Sequence, residues 1–219
     1  MSTAKTRREA LVRLTLDRHG RTYAQEAGIR LTDKPAPLFQ LLTLSLLLSA
    51  PISARVAVPA AKELFAAGYR TARAMQNASW QDRVDALGRG HYRRYDESTS
   101  TMLEQTADLA LDRWQGDLRK LHAEAGDDPR RLIPLLTEFK GIGPAGADIF
   151  LREVQAVWPG ISPYVDERVK QGAQRIGLPV TARGLSNVTT SPRQTAELTA
   201  ALVRLSRDPR AAEALVREA

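Results

Sequence analysis

Apolar residues recur along this chain with the three- and four-residue spacing of helices almost throughout. Residues 5–18 place Ala10, Leu11, Leu14 and Leu16 toward one side. Pro35 and Pro37 open a segment that is apolar all round and runs to about Ser49, where Pro51 stops it. Its centre, LLTLSLLL at 41–48, is the most hydrophobic run in the chain, far too short to span a bilayer, and it reads as a buried helix. Pro59 can sit early in the next helix, which carries Ala60, Leu64 and Phe65. Further helical patterns cover 80–87, 98–121, 134–139, 144–157, 166–176, 195–205 and 209–218. Strand signals are nearly absent, and VTARGLSNVTT at 180–190 reads as a turn-rich loop. The pattern predicts an all-α protein of roughly nine or ten helices, with no internal repeat.

Composition narrows the partners. The 219 residues suffice for one large or two modest domains. A net charge of +7 and a pI of about 10.0 favour an acidic partner, nucleic acid being the commonest, although a solvated basic surface gives the same balance. The absence of cysteine excludes disulfides, iron–sulfur clusters and thiolate zinc sites. His19, His91 and His122 are too scattered to suggest a metal site. The N-terminus is charged and amphipathic with no apolar stretch behind it, so the expectation is a soluble, cytoplasmic protein with no membrane role.

The stretch KGIGPAG at 140–146 is the most informative short sequence. Gly141, Gly143 and Gly146 spell G-x-G-x-x-G, which marks a dinucleotide site when it follows a strand inside a βαβ unit. The preceding RLIPLLTEF has a proline in its middle and few β-branched residues, so no strand leads into it. A hairpin between two helices fits better. Pro134 suits the first turn of the helix before it, and Pro144 the first turn of the helix after it. Gly141 and Gly143 let the backbone turn and approach a partner closely. The outward N–H groups at the second helix start favour an anionic oxygen. A plain tight turn between packed helices would use the same residues.

The stretch FKGIGPAGADIFL, followed by a loop and YVDERV, resembles the helix-hairpin-helix DNA glycosylase superfamily, the group that contains endonuclease III. In that family a glycine-rich hairpin precedes a buried helix, and a short loop leads to valine-aspartate at the next helix start. Here these are Phe139-Lys140-Gly141-Ile142-Gly143 and Val165-Asp166. The stretch APLFQLLTLSLLLSA at 36–50 is similar to an upstream helix of the family, and GHYRRY at 90–95 to one of its turns, so the resemblance covers about 35–178. It implies a fold of two helical lobes, one of residues 30–157 ending in the hairpin and the other of 1–29 with 158–219. Asp166 would line the cleft between them. The implied activity is removal of a damaged base from double-stranded DNA by a monomeric enzyme, the nucleotide being flipped out of the duplex.

The residues assign roles within that reading. A carboxylate beside C1′ can stabilise the positive charge that develops on the sugar and orient the attacking water, which makes Asp166 the candidate catalytic residue. An aspartate ahead of Val169, Ala173 and Ile176 is equally a helix N-cap, and the two roles are compatible. Lys140, Gly141, Ile142, Gly143, Ala145 and Gly146 are the candidate phosphate contacts of the hairpin, with Arg93, Arg94, Arg168 and Arg175 as further DNA contacts. Tyr92 is a candidate for stacking, and Ile52, next to Pro51 where many relatives carry a gap-filling glutamine, for the wedge. The resemblance also implies a structural monovalent cation on the main-chain carbonyls of Thr137, Phe139 and Ile142, and no other cofactor. Ala145 stands where bifunctional relatives carry a Schiff-base lysine, so the implied chemistry is hydrolysis that leaves an abasic site. Two rivals remain: a non-catalytic DNA-binding protein using the same hairpin, and a helical adaptor with no DNA role.

Overall fold

The computed structural model describes residues 2–219, with side chains from Lys5 onward. Regular structure among these residues is entirely helical, as the apolar periodicity predicts. The chain divides into two compact units, a central one of Ala24–Leu151 and a terminal one combining the chain up to Tyr23 with Arg152–Ala219. The division falls inside a helix, and Arg152 and Glu153 on its terminal side bond to Asp166 and Tyr23 of the same unit.

After α1 (Ser2–His19), which belongs to the terminal unit, the chain forms α2 (Tyr23–Glu26) and α3 (Pro35–Ser49). Next come α4 (Ala54–Ala66), α5 (Ala72–Asn77), α6 (Trp80–Arg89) and α7 (Asp96–Trp114), then α8 (Leu118–Ala125), α9 (Pro129–Thr137) and α10 (Pro144–Val154). The central unit is built around α3, whose Leu38, Phe39, Leu41, Leu42, Leu44 and Leu47 have no exposed surface. A helix apolar on every side has to be enclosed by others. Two of its polar side chains are satisfied locally: Ser45 donates to the carbonyl of Leu41 and Ser49 to that of Ser45. Gly90, just past α6, lets the chain press onto α4, since a Cβ there would lie 2.3 Å from the Ala60 Cα. The fully buried Arg83 staples three helices together. It donates to the carbonyls of Met75 and Ala78 and to the Ser100 hydroxyl, and it pairs with Glu104 at 2.9 Å.

Four sequence expectations need correction. Pro59 and Pro134 sit inside α4 and α9 rather than in their first turns. The carbonyls they deprive of an N–H, four residues back at Arg55 and Arg130, belong to exposed residues where water can reach them. The 98–121 pattern is two helices. Gln115 and Gly116 both take positive φ, and Asp117 caps the new start through the N–H of Arg119. The supposed loop at 180–190 contains α12 (Ala182–Ser186), capped by Thr181.

The terminal unit consists of α1, a 3-10 turn (Pro159–Ile161), α11 (Glu167–Ile176), α12, α13 (Pro192–Arg207) and α14 (Pro209–Glu218). Its core gathers Leu11 and Val12 of α1, Val169, Ala173 and Ile176 of α11, Leu198 and Leu202 of α13, and Leu215 of α14. Helices α11 and α13 cross so closely that a Cβ on Gly172 would lie 1.9 Å from the Leu202 carbonyl oxygen. This packing fixes the start of α11, where Asp166 stands. Among the described residues no helix is long and apolar enough to cross a membrane.

Candidate functional site

Two constellations carry the candidate chemistry, one in each unit. In the central unit α9 and α10 flank the KGIG turn. The Phe139 ring is fully buried and lies 5.5 Å from the ring of Trp114, which anchors the turn to the core. The N–H of Ile142 donates to the Phe139 carbonyl at 3.0 Å, and the Ile142 side chain is buried beneath the turn. Lys140, Gly141, Gly143, Pro144 and Ala145 are exposed.

The three glycines are present for different reasons. Gly141 has φ +87, and a Cβ there would meet the Met102 sulfur of α7 at 2.6 Å. A Cβ on Gly146 would meet the Ser49 hydroxyl of α3 at 2.2 Å. Both glycines are therefore demanded by the fold. Gly143 is not: its φ lies outside the left-handed region, and a Cβ on it would meet nothing within 4 Å. It precedes the first turn of α10, where Pro144 has no N–H and those of Ala145 and Gly146 lack the carbonyl four residues back that an interior residue would use. The bare turn therefore offers open backbone donors at a helix N-terminus.

The other proposed contacts of the central unit are spread over its surface. Arg93 and Arg94 are exposed ahead of α7, with the Arg94 guanidinium 5.3 Å from the Tyr95 ring centroid. Pro51 is exposed and Ile52 half-buried in the link between α3 and α4, just past the Ser49 that touches Gly146. Tyr92 is a correction. It has no exposed surface and its hydroxyl lies 3.4 Å from that of Thr99, so its ring presents no face to a base. Burial pushes its phenol above the usual range, the Thr99 hydrogen bond opposing in part.

In the terminal unit Asp166 is the N-cap of α11. Its Oδ1 accepts the N–H of Val169 at 2.9 Å. Its Oδ2 is held by the guanidinium of Arg152, and the side chains of the two residues are only 6% and 9% exposed. The loop leading to Asp166 is fixed by the buried Gln155. The Gln155 amide donates to the Arg152 carbonyl at 2.8 Å and to the Thr199 hydroxyl of α13 at 3.1 Å, while its oxygen accepts the N–H of Tyr164 at 2.9 Å. Neither Arg152 nor Gln155 is recognisable from sequence, because each acts through partners many positions away. Arg168 and Arg175 are exposed on α11. A cavity of about 890 Å³ in this unit lies between α1 and the α12–α13 segment, lined by residues such as Arg8, Val12, Gly184, Thr189 and Gln194, and Asp166 does not border it.

The terminal unit thus carries a nearly buried carboxylate held at a helix start, and the central unit an exposed glycine-containing turn ahead of another helix start. Among the described residues no group of three or more acidic or histidine side chains is placed to hold a metal ion. Compared with known proteins, the chain matches no protein-family model and no curated protein. Among solved structures it is similar to an endonuclease III trapped as a covalent intermediate with DNA in an estranged-adenine complex, at 16% identity over 89% of this chain and 84% of that one, with a TM-score of 0.46. A likeness at that level says nothing of which residues act.

Proposed function

We propose that this protein is a monofunctional DNA glycosylase of the helix-hairpin-helix kind, acting on duplex DNA that contains a damaged base. The observation that carries the reading is Gly143: an exposed glycine that neither φ nor packing requires, immediately before the start of α10. A phosphate seated there explains why the position is bare. Lys140 beside it, and Arg93, Arg94, Arg168 and Arg175, supply further positive charge. A monovalent cation on the carbonyls of Thr137, Phe139 and Ile142 would brace the turn and takes no part in bond cleavage. The Phe139 carbonyl already accepts one N–H and keeps a second lone pair for such an ion.

In the proposed reaction the flipped nucleotide presents its sugar to Asp166. As the C1′–N bond breaks, its electron pair leaves with the base, and the carboxylate stabilises the positive charge left on the sugar. Water then forms the new C1′–O bond and gives a proton to the Asp166 carboxylate, the departed base takes one up, and an abasic site is left. Ala145 at the start of α10 carries no amine to attack C1′ in place of water. The backbone is therefore expected to stay whole until alkali is added, and borohydride is expected to trap no protein–DNA adduct during turnover. A trapped adduct, with Lys140 or Lys170 as nucleophile, would replace the hydrolytic mechanism with a covalent one.

The Arg152–Asp166 pair favours one alternative, since a carboxylate already neutralised by an arginine has less charge to offer a sugar cation. On that alternative the protein binds DNA through the same turn and Asp166 only caps α11. The two readings separate on base release, which the alternative lacks.

A further inference from the structure

Asp166 needs only one oxygen to cap α11, and Val169 occupies it. The second oxygen is engaged by Arg152, which reaches it from α10. Packing gives no reason for the arrangement. A nearly buried ion pair is often no more stabilising than apolar residues of similar volume, because both charges lose their water. The backbone around the pair is equally specific. Gln155 ties the Arg152 carbonyl and the Tyr164 N–H to one buried amide, so the residue bearing the positive charge and the loop two residues ahead of the negative one are held by the same side chain. The remaining charges at the start of α11, on Glu167, Arg168 and Lys170, are exposed, and Lys170 lies 3.8 Å from Glu167.

We infer that Arg152 is a positioning residue for base excision. It holds the Asp166 carboxylate in one orientation, with the lone pairs that Val169 and Arg152 leave unused as the ones available to sugar and water. This inference rests on the glycosylase reading and adds to it a residue that acts only through Asp166. A carboxylate with one oxygen pinned by a backbone N–H and the other by a guanidinium cannot rotate about its χ2 bond, so the attacking group meets a single geometry. A DNA-contacting arginine would instead have to be free to reach a phosphate, and the Arg152 side chain is paired with Asp166 and only 9% exposed.

The test is a double-mutant cycle read as single-turnover base release at saturating protein, with DNA affinity and thermal midpoint measured alongside. Arg152→Met is expected to slow release by about ten- to a hundredfold, the range for a misplaced reacting group. DNA affinity should stay within about twofold, since no phosphate contact is lost. Arg152→Lys keeps the charge and should recover a large part of the rate, and it carries the test if the methionine variant does not fold. In an Asp166→Asn background Arg152→Met should have no further effect. Wild-type release rates in Arg152→Met, a loss in Arg152→Lys as large as the one expected of Arg152→Met, or equal losses from Arg152→Met in both backgrounds, would overturn the inference and leave the glycosylase reading standing. A wild-type protein that releases no base from any damaged duplex overturns both.

Discussion

Asp166→Asn is expected to lower base release by about two to four orders of magnitude, the range for losing a positioned acid–base or electrostatic group. The structure also changes what this variant should do to stability. Aspartate offers two acceptor oxygens, and both are used: one by the Val169 N–H, the other by Arg152. Asparagine has a single acceptor and an NH₂ group, so it can keep the cap only by turning two donors toward the guanidinium. Asparagine is as good an N-cap as aspartate on its own, so capping alone would predict no change. The expected loss is instead about 1–3 kcal/mol, from a nearly buried arginine left without its counter-charge. Release should accordingly be measured well below the variant's thermal midpoint, at saturating protein. Full activity in a folded Asn variant would leave Asp166 as a cap and nothing more.

DNA affinity is expected to fall by roughly two to three orders of magnitude as salt rises from about 50 to 200 mM. Each phosphate neutralised contributes about −0.9 to the slope of log affinity against log salt. Lys140, Arg93, Arg94, Arg168 and Arg175, all exposed, set that slope at roughly −4 to −5 if each meets a phosphate. Gly143→Asp is expected to weaken binding by a further factor of about ten or more, by placing a carboxylate against the bound phosphate. The fold should tolerate the change, because a Cβ at that position meets nothing within 4 Å and the backbone is not left-handed. The same substitution at Gly141 or Gly146 would be uninformative, since Met102 and Ser49 already fill the space a Cβ needs. A folded Gly143→Asp variant with wild-type affinity would remove the turn from the DNA-binding surface.

What the sequence made legible was local. The uninterrupted apolar run around Leu41–Leu48 can only be a buried helix, and so it is. The Asp166 cap follows from an aspartate ahead of an amphipathic segment, and its bond to Val169 is the one such a residue is built to make. What was not legible depends on partners far away in sequence. Periodicity continues smoothly through 98–121, and only the positive φ of Gln115 and Gly116 reveals the break. The prolines at 59 and 134 suggested helix starts, yet the freed carbonyls lie where water serves them. Tyr92 sits among arginines in sequence, but its ring belongs to the core. Arg152 looks like one more basic residue of a basic chain until the fold sets it against Asp166 across fourteen positions. Of the three glycines in the turn, nothing in the sequence distinguishes Gly143 from its neighbours; the space around each does.

The central claim is that this chain breaks a base–sugar bond. The most direct measurement incubates the wild-type protein with duplexes that each carry one alkylated, oxidised or deaminated base. Alkali is added afterwards, and the strands are sized. The account predicts alkali-dependent cleavage at the lesion of at least one class, none in the undamaged duplex, and intact strands before alkali. Tight binding to every duplex with no alkali-labile site in any of them would contradict it, and would leave a protein that holds DNA through the Gly143 turn without acting on it.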